Sequence, residues 1–378
     1  MRFCNNNKCS NMRHGIIITA LCILLAACSG NDGKQEDNST DTYEVEVMLP
    51  TTPVKDQGNS QMCWIYAMLA TIETEHIRQG DSIDLSAAYL ARHALAQQAT
   101  YRYSKGKNHN VATRGMLTAT LSLLQQYGAM PYTSYRPTDG TDYRNLARQM
   151  MRTADSSKAH KTGLQKLQQK TNDILNEAMG YAPDWVFMLG CRYTPVEFAH
   201  SILQRGEYAA LTSFTHHPWG SIFELEVPDN FLHDTFINVP VDSLAKYAEN
   251  AIRQGHPVAW EGDITEKGFN HKLGKAMLDN ESQPVTQQSR QHDFDSETLT
   301  DDHCMEIVGL AHDKKGNKFF VCKNSWGKDN PYGGFVYMSE KYLKAKTIAV
   351  VIPTAALPTM AQIKGKRTQQ PTDPDIIP

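Results

Sequence analysis

The sequence lacks an excess of charge of either sign. Lys and Arg total 38 against 41 Asp and Glu, a formal net charge of −3 over 378 residues. That balance leaves no electrostatic footprint for nucleic acid or for an anionic surface. It also lacks the spaced ligand motifs of metalloproteins: there is no CxxC, no HExxH and no paired Cys/His spacing. No internal repeat is present. Long hydrophobic runs are missing too. The most apolar stretch, IIITALCILLAAC at residues 16–28, is too short to span a bilayer comfortably. Cysteine is scarce, at eight residues, and half of these fall at or before position 28. Cys63, Cys191, Cys304 and Cys322 are too few and too scattered for a disulfide scaffold. Cys304 and Cys322 fall on segments that read as neighbouring strands and are expected as two packed thiols.

What the first residues do contain is an export signal. Arg2, Lys8 and Arg13 precede the apolar run, which ends in small residues. Leu25-Ala26-Ala27-Cys28 has the pattern of a bacterial lipobox, so residues 1–27 are expected to be removed and Cys28 to carry lipid. Residues 28–45 are polar and acidic and read as a flexible tether. The expected location is the bacterial cell envelope, held to a membrane by several acyl chains.

The domain proper is expected over 46–360, followed by a mobile polar tail, 361–378. Residues 46–62 carry Pro50, Pro53 and Gly58 and read as extended. From Cys63 to about Gln79, Ile65, Leu69 and Ile72 recur at helical spacing. Ser86 is a good cap for a second helix, and a third is predicted over 116–127, closed by Gly128. Residues 141–180 are charged and glutamine-rich and read as solvated helices of an insertion. Thr194-Pro195 opens another helix, and residues 241–255 form an amphipathic one. Residues 209–214, 221–227 and 256–264 read as strands. Residues 265–298 read as loop, and the last third as strands, with a turn at Gly316-Asn317. Helices toward the front and strands toward the back make an α+β fold whose two halves enclose a cleft.

Four residues carry candidate chemistry. Cys63 opens a helix, where unsatisfied N–H groups and the positive dipole end favour a thiolate. By itself a Cys-Trp pair at a helix start reads more readily as packing than as catalysis. Gln57, on the loop before it, can aim an amide N–H at an oxyanion alongside the Cys63 backbone N–H. His303 opens a strand at a sheet edge. Asn324 can hold an imidazole in one tautomer and orientation, with Trp326 shielding that bond. Gly115, Trp64 and Trp326 are candidate substrate-binding residues; Gly115 reads equally as a turn before the third helix. Asp84 and Asp263 offer charge for a free amino terminus, but surface carboxylates are the better reading.

These segments, in this order, resemble the papain-like cysteine peptidases: DQGNSQMCW around Gln57 and Cys63, DDHCMEIVGLAHD around His303, and KNSWG around Asn324. LSAAYLARHAL, TPVEFAHSI and LTSFTHHPWGSIFELEV further resemble the bleomycin hydrolase and aminopeptidase C branch. The resemblance implies a two-subdomain fold, helical plus β-barrel, with inserted helices. It implies a Cys63–His303–Asn324 triad hydrolysing peptides through a thioester, with no cofactor and no metal. It implies an aminopeptidase slightly ahead of an endopeptidase, and a self-compartmentalised hexamer. A non-catalytic surface-binding lipoprotein is the alternative. The sequence departs from the branch at Met62, where arginine is usual, at Ser60, nearest to papain's upstream disulfide cysteine, and in its longer tail.

Overall fold

Backbone pairing in the last third of the chain organises the molecule. The computed structural model describes residues 42–359 apart from Asp139 and Leu189; the signal, Cys28, most of the tether and the tail lie outside the described residues. The chain begins with β1 (Tyr43–Met48), then α1 (Cys63–Arg78), α2 (Ala87–Lys105) and α3 (Leu117–Tyr127). The insertion follows as α4 (Tyr143–Ala159) and α5 (Leu164–Met179), then the hairpin β2 (Val186–Met188) and β3 (Cys191–Tyr193), and α6 (Pro195–Ile202). Next come β4 (Tyr208–Thr212), β5 (Ile222–Glu224), β6 (Thr235–Asn238), α7 (Val241–Arg253), β7 (Val258–Gly262), β8 (Phe269–Asn270), β9 (Lys275–Ala276) and α8 (Gln287–Asp295). The chain closes with β10 (His303–Asp313), β11 (Lys318–Lys323), β12 (Phe335–Ser339), α9 (Glu340–Lys346) and β13 (Thr347–Pro353).

Local rules set many of these boundaries. Ser86 Oγ accepts from Tyr89 N at the start of α2. Thr194 and Glu197 cap α6 reciprocally, with Pro195 at its first position. Gly128 ends α3 at φ +87°, and a Cβ there would lie 2.1 Å from the Pro195 carbonyl carbon. Only glycine tolerates both that backbone and that approach.

The eleven-stranded sheet runs β5-β6-β4-β13-β7-β10-β11-β12-β9-β8, with β1 paired to β10. One apolar core joins α1–α6 and touches the sheet at Ala259, Cys304 and Val351. A second lies between the sheet and helices α7 and α9, around Leu244, Trp260, Met305 and Tyr342. The two cores are the helical and β halves of an α+β fold, and α1 packs on β10 where they meet.

Several expectations need correction. Tyr43–Val45 belong to β1 rather than to the tether, because their backbone groups pair with Ala311, His312 and Asp313. The insertion helices are not simply solvated. α4 buries Leu146, Met150 and Ala154, and α5 buries Leu167, Leu175 and Met179, a stripe on each that packs against α2. Residues 265–298 contain β8, β9 and α8, whose Thr286 cap the composition hid. Cys304 and Cys322, by contrast, are buried free thiols on neighbouring strands as expected, with Cys304 opposite Glu261 and Cys322 opposite Ile307.

Candidate active site

Cys63 is the first residue of α1, after Met62, which offers no side-chain cap. The first helical acceptor, Met62 O, receives Ile65 N at 3.0 Å, so the N–H of Cys63 has no intrahelical partner. The segment before the helix is tied to the segment after β11. Gln57 N donates to Ser325 O at 2.8 Å, Gly327 N donates to Lys55 O at 3.2 Å, and Asp56 bridges Trp326. Those bonds bring residues nearly 270 positions apart into register.

His303 opens β10, paired with Gly262 of β7. Its Nε2 lies 2.8 Å from Asn324 Oδ1, and both side chains are buried, at 2 % exposure. That bond holds the ring with Nδ1 on the opposite side. The Trp326 ring lies 4.5 Å from the His303 ring, centroid to centroid, and covers the pair. Ser325 orients two groups at once. Its N–H donates to Asn324 Oδ1 at 2.8 Å and its Oγ donates to Gln57 Oε1 at 2.6 Å. Gln57 Nε2 in turn donates to Ser60 O at 2.6 Å, so the amide is fixed with its N–H side toward the Ser60–Cys63 turn.

The Cys63 thiol lies well below the usual thiol range. Hydrogen bonding to the Cys304 thiol contributes most, and together with His303 it outweighs burial. The Cys304 thiol moves well upward, through burial and through Cys63 itself. The two shifts run in opposite directions, so the Cys63 thiol ionises more readily than the Cys304 thiol.

The structure brings Gln57, Cys63, His303 and Asn324 together. It reassigns other candidates. Trp64 is wholly buried, with Nε1 donating to Thr113 O at 3.0 Å, and offers no surface to a ligand. Gly115 is buried against it: a Cβ there would meet Trp64 Cε2 at 2.9 Å and Phe231 Cε1 at 3.2 Å. Both support the helix that carries Cys63. Trp326 is half-buried beside His303. Asp84 is partly exposed and paired to Lys55 at 2.6 Å. Asp263 is no surface carboxylate; it is fully buried and paired with Lys346 at 3.3 Å.

Two site neighbours escaped sequence reasoning. His271 faces Asn324 Nδ2 through its Nδ1 at 3.1 Å, and burial, with His303 adding, moves its pKa down. A neutral His271 accepts from the amide and fixes which way Asn324 points. Cys304 was read only as a packed thiol; its place directly after His303 was the available signal. Among the described residues, one group has metal-ligand geometry: atoms of His216, His217 and Glu226 lie within 4.8 Å of one another.

Comparison with known proteins places this geometry. A family model described as Peptidase C1-like family matches residues 183–374, about half of the chain. "Cysteine proteinase 1, mitochondrial" of Saccharomyces cerevisiae is 21 % identical, over 91 % of this chain and 83 % of its own. "Aminopeptidase G" of Lactobacillus delbrueckii subsp. lactis is 23 % identical, over 80 % of this chain and 81 % of its own. The crystal structure of PepW from Lactobacillus rhamnosis HN001 superposes with a TM-score of 0.67 at 17 % identity, covering 86 % of each chain. The chain thus belongs to the Peptidase C1-like family and is a cysteine-type peptidase with a papain-like α+β fold.

Proposed function

We propose that this peptidase is an aminopeptidase acting on peptides through Cys63, His303 and Asn324. The observation that carries the reading is the 2.8 Å bond between His303 Nε2 and Asn324 Oδ1 beside a thiol held low. Cys63 sulfur attacks the scissile carbonyl. The developing oxyanion takes hydrogen bonds from the Cys63 N–H and from Gln57 Nε2, and a single such donor is typically worth about 3 kcal/mol. His303 protonates the departing amine. Water then hydrolyses the thioester, with His303 taking its proton. Asn324 holds the imidazole throughout, and Trp326 keeps water off that bond.

The aminopeptidase mode draws support from the likeness to a protein named "Aminopeptidase G". Matched peptides with free and N-acetylated ends separate the modes. Cleavage of the free form at least tenfold faster is expected; equal cleavage refutes it. Cys63→Ala should abolish both turnovers, and retained turnover would remove the cysteine mechanism.

The export segment belongs to the same proposal. Cys28 carries lipid and holds the enzyme to a membrane of the cell envelope, supported by the LAAC pattern and the polar stretch after it. The full chain should partition into detergent, and Cys28→Ser should release it to the aqueous phase. Equal partitioning of the two forms excludes the anchor.

A further inference from the structure

The wall beside Cys63 holds more carboxyl groups than the proposed chemistry uses. Glu261 on β7 stands opposite Cys304, while Asp301 and Asp302 directly precede His303. Asp229 joins them from the segment between β5 and β6. Among the described residues, the cation paired with them is Arg114, next to Gly115. Arg114 Nε lies 2.6 Å from Asp229 Oδ2, a terminal nitrogen lies 3.2 Å from Asp301 Oδ1, and the other lies 3.6 Å from Asp302 Oδ1.

The cluster has a mouth and a floor. Arg114 is 32 % exposed, Asp229 12 % and Asp301 5 %, while Glu261 is fully buried. Arg114 and Asp229 also line a cavity of 590 Å³, within the size class of a small-ligand pocket. At the floor, Asp301 Oδ2 and Glu261 Oε1 have no hydrogen-bond partner. Buried carboxylate oxygens are rarely left so, because the unpaired group costs free energy on folding. The deficit is of positive charge: burial and Asp301 push Asp229 up to about 7 despite Arg114. The cluster also adjoins the site by geometry: Glu261 pairs across the sheet with Cys304, Asp301 lies two residues before His303, and Gly115, next to Arg114, packs against Trp64, the residue after Cys63.

We infer that Asp301 and Asp229 form a cation subsite for the substrate, taking an ammonium or guanidinium group beside the scissile carbonyl. The inference rests on the peptidase reading and states how that site selects peptides. The shared chemistry has two sources. One is the α-ammonium of a first residue, separated from the scissile carbonyl by a single carbon. The other is a Lys or Arg side chain one residue further back. Glu261, with Oε2 accepting from Leu117 N at 3.3 Å, closes the floor behind the pair, and burial holds its carboxyl well above the usual carboxylate range.

Calorimetry on the full chain carrying Cys63→Ala tests the subsite without turnover. Three probes are titrated: Ala-Ala-Ala-amide, its N-acetyl form, and N-acetyl-Lys-Ala-Ala-amide. At least one cationic source should bind about tenfold or more tightly than the neutral peptide, the scale of a hydrogen bond to a charged group. The first probe winning assigns the α-ammonium, and the third assigns the side chain. Adding Asp301→Asn should erase the preference, Asp229→Asn should weaken it, and Arg114→Gln should strengthen it by removing the resident competitor. A merely structural role would not give opposite signs at Asp301 and Arg114. Equal affinity for all three probes, or a preference that survives both Asp variants at unchanged melting temperature, overturns the subsite. If Asp301→Asn fails to fold, Asp229→Asn and Arg114→Gln decide. Failure of the peptidase reading is separate: it appears as peptide hydrolysis by Cys63→Ala, whatever the probes do.

Discussion

Replacing Asn324 by alanine removes the one side chain that fixes both the place and the tautomer of His303. Its Oδ1 receives two bonds, from His303 Nε2 at 2.8 Å and from Ser325 N at 2.8 Å. Its Nδ2 faces His271 Nδ1 at 3.1 Å. In the proposed mechanism the imidazole is positively charged when the thiolate attacks. A hydrogen bond to a charged group is worth about 1.5–3 kcal/mol, which is about 10- to 150-fold in rate. Asn324→Ala should therefore lower kcat/KM by that factor. The Ser325 N–H is left unpaired as well, and a lost buried bond of that kind costs about 1–3 kcal/mol of stability. The two effects are separated by normalising activity to the fraction of Cys63 that takes a covalent thiol reagent, and by recording thermal unfolding. Asn324→Asp keeps the acceptor and should fall between wild type and Asn324→Ala. A folded Asn324→Ala within threefold of wild type would refute the orienting role, as would Asn324→Asp no better than alanine.

The same geometry leads to further outcomes. Alkylation of Cys63 by iodoacetamide, followed by mass spectrometry so that exposed Cys191 does not interfere, should already be on its plateau at neutral pH, because the thiol is held low. Cys304→Ala should move that profile upward and Cys304→Ser should move it less; a wild-type rate still climbing through pH 8.5, the ordinary thiol value, rejects the assignment. Gly128→Ala places a Cβ 2.1 Å from backbone at positive φ and should cost more than about 2 kcal/mol by denaturant unfolding; a change below about 0.5 kcal/mol contradicts the packing. Burial raises the Glu75 carboxyl, but Arg78 at 2.7 Å and His256 at 2.9 Å outweigh it and the net shift is downward. Its contribution is therefore present above the unfolded value near 4.3 and is lost as pH falls through the lower folded value. Glu75→Gln should destabilise by about 1–3 kcal/mol at pH 7, with the gap closing below about pH 4; a gap that stays constant to pH 2 would exclude the linkage.

Where helices start and stop depends on a few consecutive residues, and those positions were legible. Ser86, Thr194-Pro195 with Glu197, and Gly128 each answer a backbone group within four positions or a φ of their own. Cys63 at the head of α1 and His303 at the head of β10 were legible for the same reason, aided by the resemblance of their flanking segments. The insertion helices were misread because composition gives average polarity, whereas burial follows the narrow stripe at helical spacing that faces α2.

By itself, then, the sequence determined the capped helices and the strand-rich last third, and named four candidate side chains for thiol chemistry. Only the tertiary structure decided what each of them touches. It buried Trp64 and Asp263, put His271 behind Asn324, let the Cys304 thiol lower that of Cys63, and gathered Arg114, Asp229 and Asp301 from three separate segments. Caps and periodicity act over one or two turns of chain, so they can be read along it. Hydrogen bonds, desolvation and charge act over a few ångströms of space, and residues 268 positions apart meet there solely because the sheet and the helices pack.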